Sequence, residues 1–186
     1  MVKGFCIGVM CLVAGPVMAD PMTHVAAAKL MFAPSGVQVS LVPGAALPKE
    51  QAGPLKTVLA QQPYYGAAAL SPDEGLMSEA TIFVGNFHSA DMASQAALVQ
   101  CNAKRKGKTA CVIVATVAPK GWKARPLQLS QAATAGLKTG YPKVGGGMAI
   151  SAATGDWALA GDAATALANC KASKDKPKDC ALVIEN

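Results

Sequence analysis

The sequence predicts an α+β fold: a duplicated β-β-α-β unit forms an antiparallel or mixed sheet, helices pack on one face, and disulfides staple each unit. Two observations point to it. The segments YYGAAALSPDEG, from Tyr64, and GGGMAISAATG, from Gly145, share a Gly-Ala-Ser-Gly frame at one constant offset. A second frame, ALxxC followed by CxxV, recurs with the same spacing between its two cysteines. Such self-similarity indicates one supersecondary unit that occurs twice.

Each unit is predicted to run strand, turn, strand, helix and strand. The first apolar run of each unit is followed by a turn that ends in Gly. The helices are expected to begin after Ser89 and Asp162, because Ser and Asp side chains accept hydrogen bonds from the N–H groups of a first helical turn. The expected strands are 66–70, 80–87 and 111–117 in the first unit and 146–150, 157–160 and 180–184 in the second.

Other segments flank and connect the two units. Alternation of apolar and polar residues predicts a strand at 37–41, and Pro48 is placed to open a helix that contains Leu55 and Leu59. A basic linker, PKGWKARPLQLS, precedes a short predicted helix at 131–141. The predicted organisation is 1–19 as signal peptide, 20–63 as an N-terminal strand and helix segment, 64–118 as the first unit, 119–143 as linker and short helix, and 144–186 as the second unit.

The pattern of the first 19 residues predicts a cleavable signal peptide. Lys3 supplies the positive charge, the apolar run at 5–13 is short for a membrane span, and Ala19 ends a small-x-small cleavage site. An uncleaved membrane anchor is the alternative. Cleavage after Ala19 predicts a periplasmic or secreted protein without a transmembrane segment.

Removal of the signal peptide leaves four cysteines. An even number in an exported chain favours disulfides, because the compartment is oxidising. Four cysteines allow three connectivities, and the repeat favours pairing Cys101 with Cys111 and Cys170 with Cys180. Each pair then joins the end of a helix to the start of the next strand. Closing so short a loop contributes about 3 kcal/mol in the chain-entropy model.

The balance of charge is mildly basic. Without Lys3, 16 basic and 11 acidic residues leave a formal charge of +5. This favours anionic partners but falls short of the dense basic surface of nucleic-acid-binding proteins, so no nucleic acid is expected. Since the apolar content is high in Ala and low in aromatic residues, the core is expected to consist of small side chains in close contact.

The candidate binding surface combines an aromatic residue with cations. Trp122 is flanked by Lys120, Lys123 and Arg125, and an exposed indole beside cations can stack on a sugar or lie at a membrane or peptidoglycan surface. The competing interpretations are that Trp122 packs over the sheet and that the cations are solvated surface. The loop between the first two cysteines adds Lys104, Arg105, Lys106 and Lys108.

No catalytic residue, metal ligand or cofactor is predicted. The cysteines are better explained as disulfides than as nucleophiles beside His24 or His88, and their spacing is too wide for a usual zinc site. A copper site would be weakly supported by Met22, His24 and Met31. The clustered acids, which are expected to be solvated in a turn, are Asp73, Glu74 and Glu79.

The repeated frame resembles a family of small exported bacterial proteins of unknown function that carry one or two such cysteine-paired units. The residues that carry the resemblance are 66–71, 97–101 and 111–114, with the second copy at 146–180. The segments YYGAAALSPDEG, CNAKRKG and PKGWKARPLQLS also resemble short bacterial proteins labelled 5-aminolevulinate synthase. That label implies an enzyme that joins glycine to succinyl-CoA on pyridoxal phosphate.

The sequence favours a non-enzymatic binding or envelope-associated module that contacts an anionic or glycan partner. A pyridoxal phosphate enzyme needs a large cofactor domain and a Schiff-base lysine in a suitable setting, and a 186-residue exported chain offers neither. The synthase is therefore the less favoured alternative. A structural or stress-related envelope protein without a small ligand is the third.

Overall fold

The computed structural model describes residues 20–186, so the predicted signal peptide lies outside the described residues. Within this range the chain forms five helices and seven strands arranged as an α+β fold. In chain order the elements are α1 His24–Leu30, β1 Val37–Leu41, α2 Lys49–Leu59, β2 Gly66–Leu70, β3 Ile82–Val84, α3 Ala90–Lys104, β4 Val112–Pro119, α4 Gln131–Gly140, β5 Gly147–Ile150, β6 Trp157–Ala160, α5 Ala163–Lys171 and β7 Ala181–Glu185.

The first sheet has the antiparallel order β1-β4-β2-β3. Residues alternate between the faces of β2, so Ala67 and Ala69 pack against Ala97 of α3 while Leu70 packs against Leu59 of α2. The helix of the predicted unit thus covers one face, and the N-terminal helix α2 covers the other.

The second sheet has the antiparallel order β6-β5-β7 and repeats this arrangement. Ala149 faces Ala166 of α5, whereas Met148 faces the opposite side with Leu137 of α4 and Ala27 of α1. The predicted α+β fold with helices packed on antiparallel sheets is therefore confirmed, and each unit forms a sheet of its own. Close packing of small residues is confirmed in both.

The two units share the strand order β4-β2-β3 and β7-β5-β6, and they also share an irregularity. The register of β2 with β4 shifts between Ala68 and Ala69, and that of β5 with β7 shifts between Met148 and Ala149. These positions correspond at the offset found in the sequence. A β-bulge is a specific local feature, so its recurrence means that the two units match in detail as well as in outline.

The predicted cysteine pairing is confirmed. Cys101 bonds to Cys111 and Cys170 bonds to Cys180, with a Cα–Cα distance of 6.1 Å in both pairs. Each bridge joins the last turns of a helix to the residue that precedes the next strand. Both helices therefore stay attached to the sheet at their C-terminal ends.

The return strand of the first unit is shorter than predicted, covering Ile82–Val84 rather than 80–87. The chain leaves the sheet after Val84 because Asn86 has a positive φ of 66° and its side-chain oxygen accepts the N–H of Ala132. Asn tolerates this left-handed conformation better than most residues. A contact with a distant segment therefore overrides the local strand pattern.

Candidate functional site

The loop between the first disulfide cysteines is closed by its own arginine. The Arg105 guanidinium donates to the carbonyl oxygens of Gly107, Lys108 and Thr109 at 2.7, 2.6 and 3.1 Å. The Arg105 guanidinium therefore stabilises the conformation of the loop. Lys104, Lys106 and Lys108 are exposed, and Lys106 makes only a solvated ion pair with Glu79 at 3.6 Å.

Acids of the first hairpin turn bind this loop, contrary to the expectation that they are merely solvated. Glu74 Oε1 accepts the N–H groups of Lys106 and Gly107 at 2.9 and 3.0 Å, and Asp73 accepts the N–H and hydroxyl of Thr109 at 2.8 and 2.7 Å. The Thr109 hydrogen bonds lower the pKa of Asp73, and the Gly107 N–H lowers that of Glu74. These carboxylates therefore fix the basic loop.

The second unit makes the same attachment with the roles reversed. Its carboxylate belongs to the inter-cysteine loop: Asp179 accepts the Ser151 hydroxyl at 2.6 Å and the Ala153 N–H at 2.8 Å, both in the hairpin turn. Partial burial works to raise the pKa of Asp179, but these hydrogen bonds outweigh it and the pKa is lowered. Both inter-cysteine loops are thus fastened to a hairpin by charge-assisted hydrogen bonds.

The Trp122 loop is held in one arrangement by hydrogen bonds to its neighbours. Lys120 N–H donates to Gly36, Gly121 N–H donates to Gln38 Oε1, and the Trp122 indole N–H donates to Gln128 Oε1 at 2.9 Å. Trp122 keeps 40% of its surface exposed. Lys120 and Lys123 are exposed beside it.

Arg125, the fourth residue predicted for this surface, instead contacts residues at the end of α1. Its guanidinium donates to the Leu30 carbonyl and lies 3.5 Å from the centroid of the Phe32 ring. This cation–π contact and hydrogen bond attach the linker to the end of α1. The exposed part of the predicted surface therefore consists of Trp122 with two lysines.

The structure separates the two cationic loops that the sequence placed in one candidate surface. The basic loop precedes Val112, the first residue of β4, and the Trp122 loop follows Pro119, the last. Eight strand residues at about 3.3 Å each put the two loops roughly 25 Å apart. One small ligand cannot contact both, so they are separate surfaces.

A groove between α1 and α4 is a feature that the sequence did not predict. It has a volume of about 480 Å³, and His24 and Ala28 of α1, with Met31 just past its end, face Thr134 and Lys138 of α4 across it. The spacing of the α1 residues is that of one helical face. No local signal joins the two helices, which lie over 100 residues apart in the chain.

Two buried tyrosines precede β2, and Tyr65 lies near the Trp122 indole. Tyr64 and Tyr65 are fully buried, and burial raises the pKa of Tyr65 to about 12 against weaker opposing effects of the Trp122 indole and the Arg125 charge. Among residues 20–186, neither hydroxyl has a partner with good hydrogen-bond geometry. Both tyrosines stay protonated at neutral pH and act as large core residues.

The described residues contain no group of three or more His, Cys, Asp or Glu side chains that would hold a metal ion. Of the weak copper candidates, His24 stacks on Tyr141 with ring centroids 4.4 Å apart, and the Met31 sulfur accepts the Thr134 hydroxyl at 3.7 Å. Met22 instead pairs with Ile184 at the edge of the second sheet. Among residues 20–186, no helix is long and apolar enough to cross a membrane.

Comparison with family models, with curated proteins and with solved structures finds no match to this chain. The resemblance of its cysteine frame to small exported bacterial proteins therefore stays a prediction from the sequence.

Proposed function

We propose that this protein is an exported, non-enzymatic binding module that contacts an anionic glycan of the cell envelope through the Trp122 loop. The observation that carries the proposal is the partly exposed Trp122, whose indole is fixed by a hydrogen bond to Gln128 and whose neighbours in the chain include the exposed cations Lys120 and Lys123. An aromatic face stacks on a sugar ring, and lysines beside it attract the carboxylates of an acidic saccharide.

The proposed compartment is the periplasm or the exterior. Two disulfides in a chain of this size are characteristic of oxidising environments and rare in the cytosol. The predicted signal peptide at 1–19 supports the same location. A rigid, disulfide-bonded scaffold also suits a binding loop, because little conformational freedom is lost when the partner binds.

The two units are proposed to derive from one ancestral β-β-α-β unit. The shared strand order, the bulge at the same position and the equal cysteine separation support this origin. The Trp122 loop lies in the linker between the units, outside the repeated part. Binding is therefore proposed for a segment that the duplication did not supply.

The test is binding of the protein to purified peptidoglycan, with neutral dextran as the comparison polysaccharide. Trp122→Ala is expected to weaken peptidoglycan binding about tenfold, because it removes an aromatic contact worth roughly 1 kcal/mol or more. The double variant Lys120→Ser with Lys123→Ser is expected to weaken it several-fold and to reduce its dependence on salt.

The matched control replaces lysines of the basic loop, which lies at the opposite end of β4 from the Trp122 loop. Replacing Lys104, Lys106 and Lys108 by Ser is expected to leave binding within about twofold once total charge is allowed for. Trp122→Phe, which keeps an aromatic face, should retain most of the affinity if the fold is intact. Equal binding by the Trp122→Ala variant, or equal affinity for dextran, would contradict the proposal.

A further inference from the structure

The groove between α1 and α4 has one polar end and one apolar end. His24 begins α1 and stacks on Tyr141, which follows α4, whereas Met31 lies past the other end of α1 and contacts Thr134 near the start of α4. The two helices are therefore antiparallel across the groove. Lys138, in the last turn of α4, lies at the His24 end.

The apolar end is lined by side chains that suit a flexible hydrocarbon. Met31, Phe32 and Pro34 line this end, and Met side chains adapt to irregular apolar shapes. From His24 to Met31 the groove follows α1 for about 10 Å at 1.5 Å per residue. Its volume of about 480 Å³ falls within the range of small-molecule sites.

The charged residue that lines the groove lies at its His24 end, because the Arg125 guanidinium beside Phe32 is not part of the lining and is bonded to the Leu30 carbonyl. Among residues 20–186, no acidic side chain lines it, and Lys138 is its charged residue. A ligand that matches both ends has a negative head group beside Lys138 and an apolar chain that runs toward Phe32. We infer that this groove binds a free medium-chain fatty carboxylate, with its carboxylate at Lys138 and its chain between α1 and α4.

The inference concerns a surface apart from the Trp122 loop, so it stands whether or not the protein binds glycan. The probe is dodecanoate, titrated into the whole protein below its micelle concentration and followed by calorimetry. We expect binding of one dodecanoate per chain, and an affinity that falls about fourfold for each methylene removed from the buried chain.

Two variants distinguish the contribution of the ligand's hydrocarbon chain to affinity from that of its carboxylate head group. Ala28→Trp, at an exposed position on the groove wall, is expected to reduce dodecanoate affinity at least tenfold by filling the groove. Lys138→Ser is expected to weaken dodecanoate about threefold to fivefold, as an exposed ion pair allows, and to leave the uncharged analogue dodecanol unchanged.

The controls are Ala26→Trp, an exposed alanine of the same helix that does not line the groove, and Lys171→Ser, the lysine in the last turn of α5. Both should bind dodecanoate as the unaltered protein does. The inference is overturned if Ala28→Trp binds normally, if Ala26→Trp loses as much affinity as Ala28→Trp, or if Lys138→Ser weakens dodecanoate and dodecanol equally.

Discussion

At the scale of single residues, the notable feature is the exchange of the carboxylate between the two units. The first unit has Asp73 in its hairpin turn and Ala110 before its second cysteine, whereas the second has Ala153 in the turn and Asp179 before its cysteine. In each unit one side supplies carboxylate oxygens and the other supplies N–H groups. Both units therefore bond the inter-cysteine loop to the hairpin turn, although the carboxylate lies in the turn in one unit and in the loop in the other.

Asp179→Asn tests the value of this attachment. The amide keeps the shape but loses the charge that strengthens the hydrogen bonds from Ser151 and Ala153, so we expect a loss of about 1 kcal/mol in the free energy of unfolding. The measurement is urea denaturation at pH 7. Asp175→Asn, an exposed acid in the same loop, is the control and should change stability by less than about 0.5 kcal/mol.

At the scale of elements, the two disulfides differ in access. Cys101 and Cys111 are both buried, whereas Cys180 is only partly buried. We expect mild reductant to open Cys170–Cys180 first in the folded protein, because exchange requires the thiolate to reach a sulfur. Timed alkylation and mass spectrometry measure the order. In denaturant the two bridges should open at similar rates, and preferential opening of Cys101–Cys111 in the folded protein would contradict the prediction.

Elements defined by local chemistry could be predicted from the sequence. Ser89 and Asp162 cap α3 and α5 as expected, since a cap depends on a few neighbouring residues, and β6 has the predicted bounds. The predicted length of β3 was wrong, because the chain leaves the sheet where the Asn86 side chain accepts a hydrogen bond from the distant Ala132. The α1–α4 groove could not be predicted, because its two walls meet only through tertiary packing.

The candidate binding surface was likewise predicted only in part. The sequence identified Trp122 and its neighbouring lysines, which the structure leaves exposed. It also assigned Arg105 and Arg125 to that surface, yet both guanidinium groups bond to backbone carbonyls. Composition shows that a segment is basic, but only the three-dimensional contacts show which of its cations are already used.

At the scale of the whole molecule, His88 connects three segments. It lies in the first unit, its Nδ1 accepts the N–H of Ser130 in the linker at 3.0 Å, and its Nε2 lies 3.3 Å from the carbonyl oxygen of Asp156 in the second unit. Desolvation lowers the pKa of His88 to about 4, although Asp156 and Asp179 act in the opposite direction. A proton on Nδ1 would remove the acceptor for Ser130.

Stability is therefore expected to depend on pH through this residue. The folded pKa is below the unfolded value of 6.5, so the unfolded chain takes up a proton first and stability falls as pH drops from about 6.5 to about 4. The shift corresponds to a loss of about 3 kcal/mol. Chemical denaturation across this range measures it, and His88→Gln should remove most of the slope. An unchanged slope in that variant would contradict the assignment.

The short pairing of Met22 with β7 ties the beginning of the described chain to its end. Met22 exchanges backbone hydrogen bonds with Val183 and Glu185, and His24 N–H bonds to the Asn186 side chain. Residue 22 thus finds its partner only after about 160 further residues have been synthesised, so we expect α1 to be fixed in place late. We therefore expect a chain that stalls before β7 to form its hairpins and its Trp122 loop but to leave the α1–α4 groove incomplete.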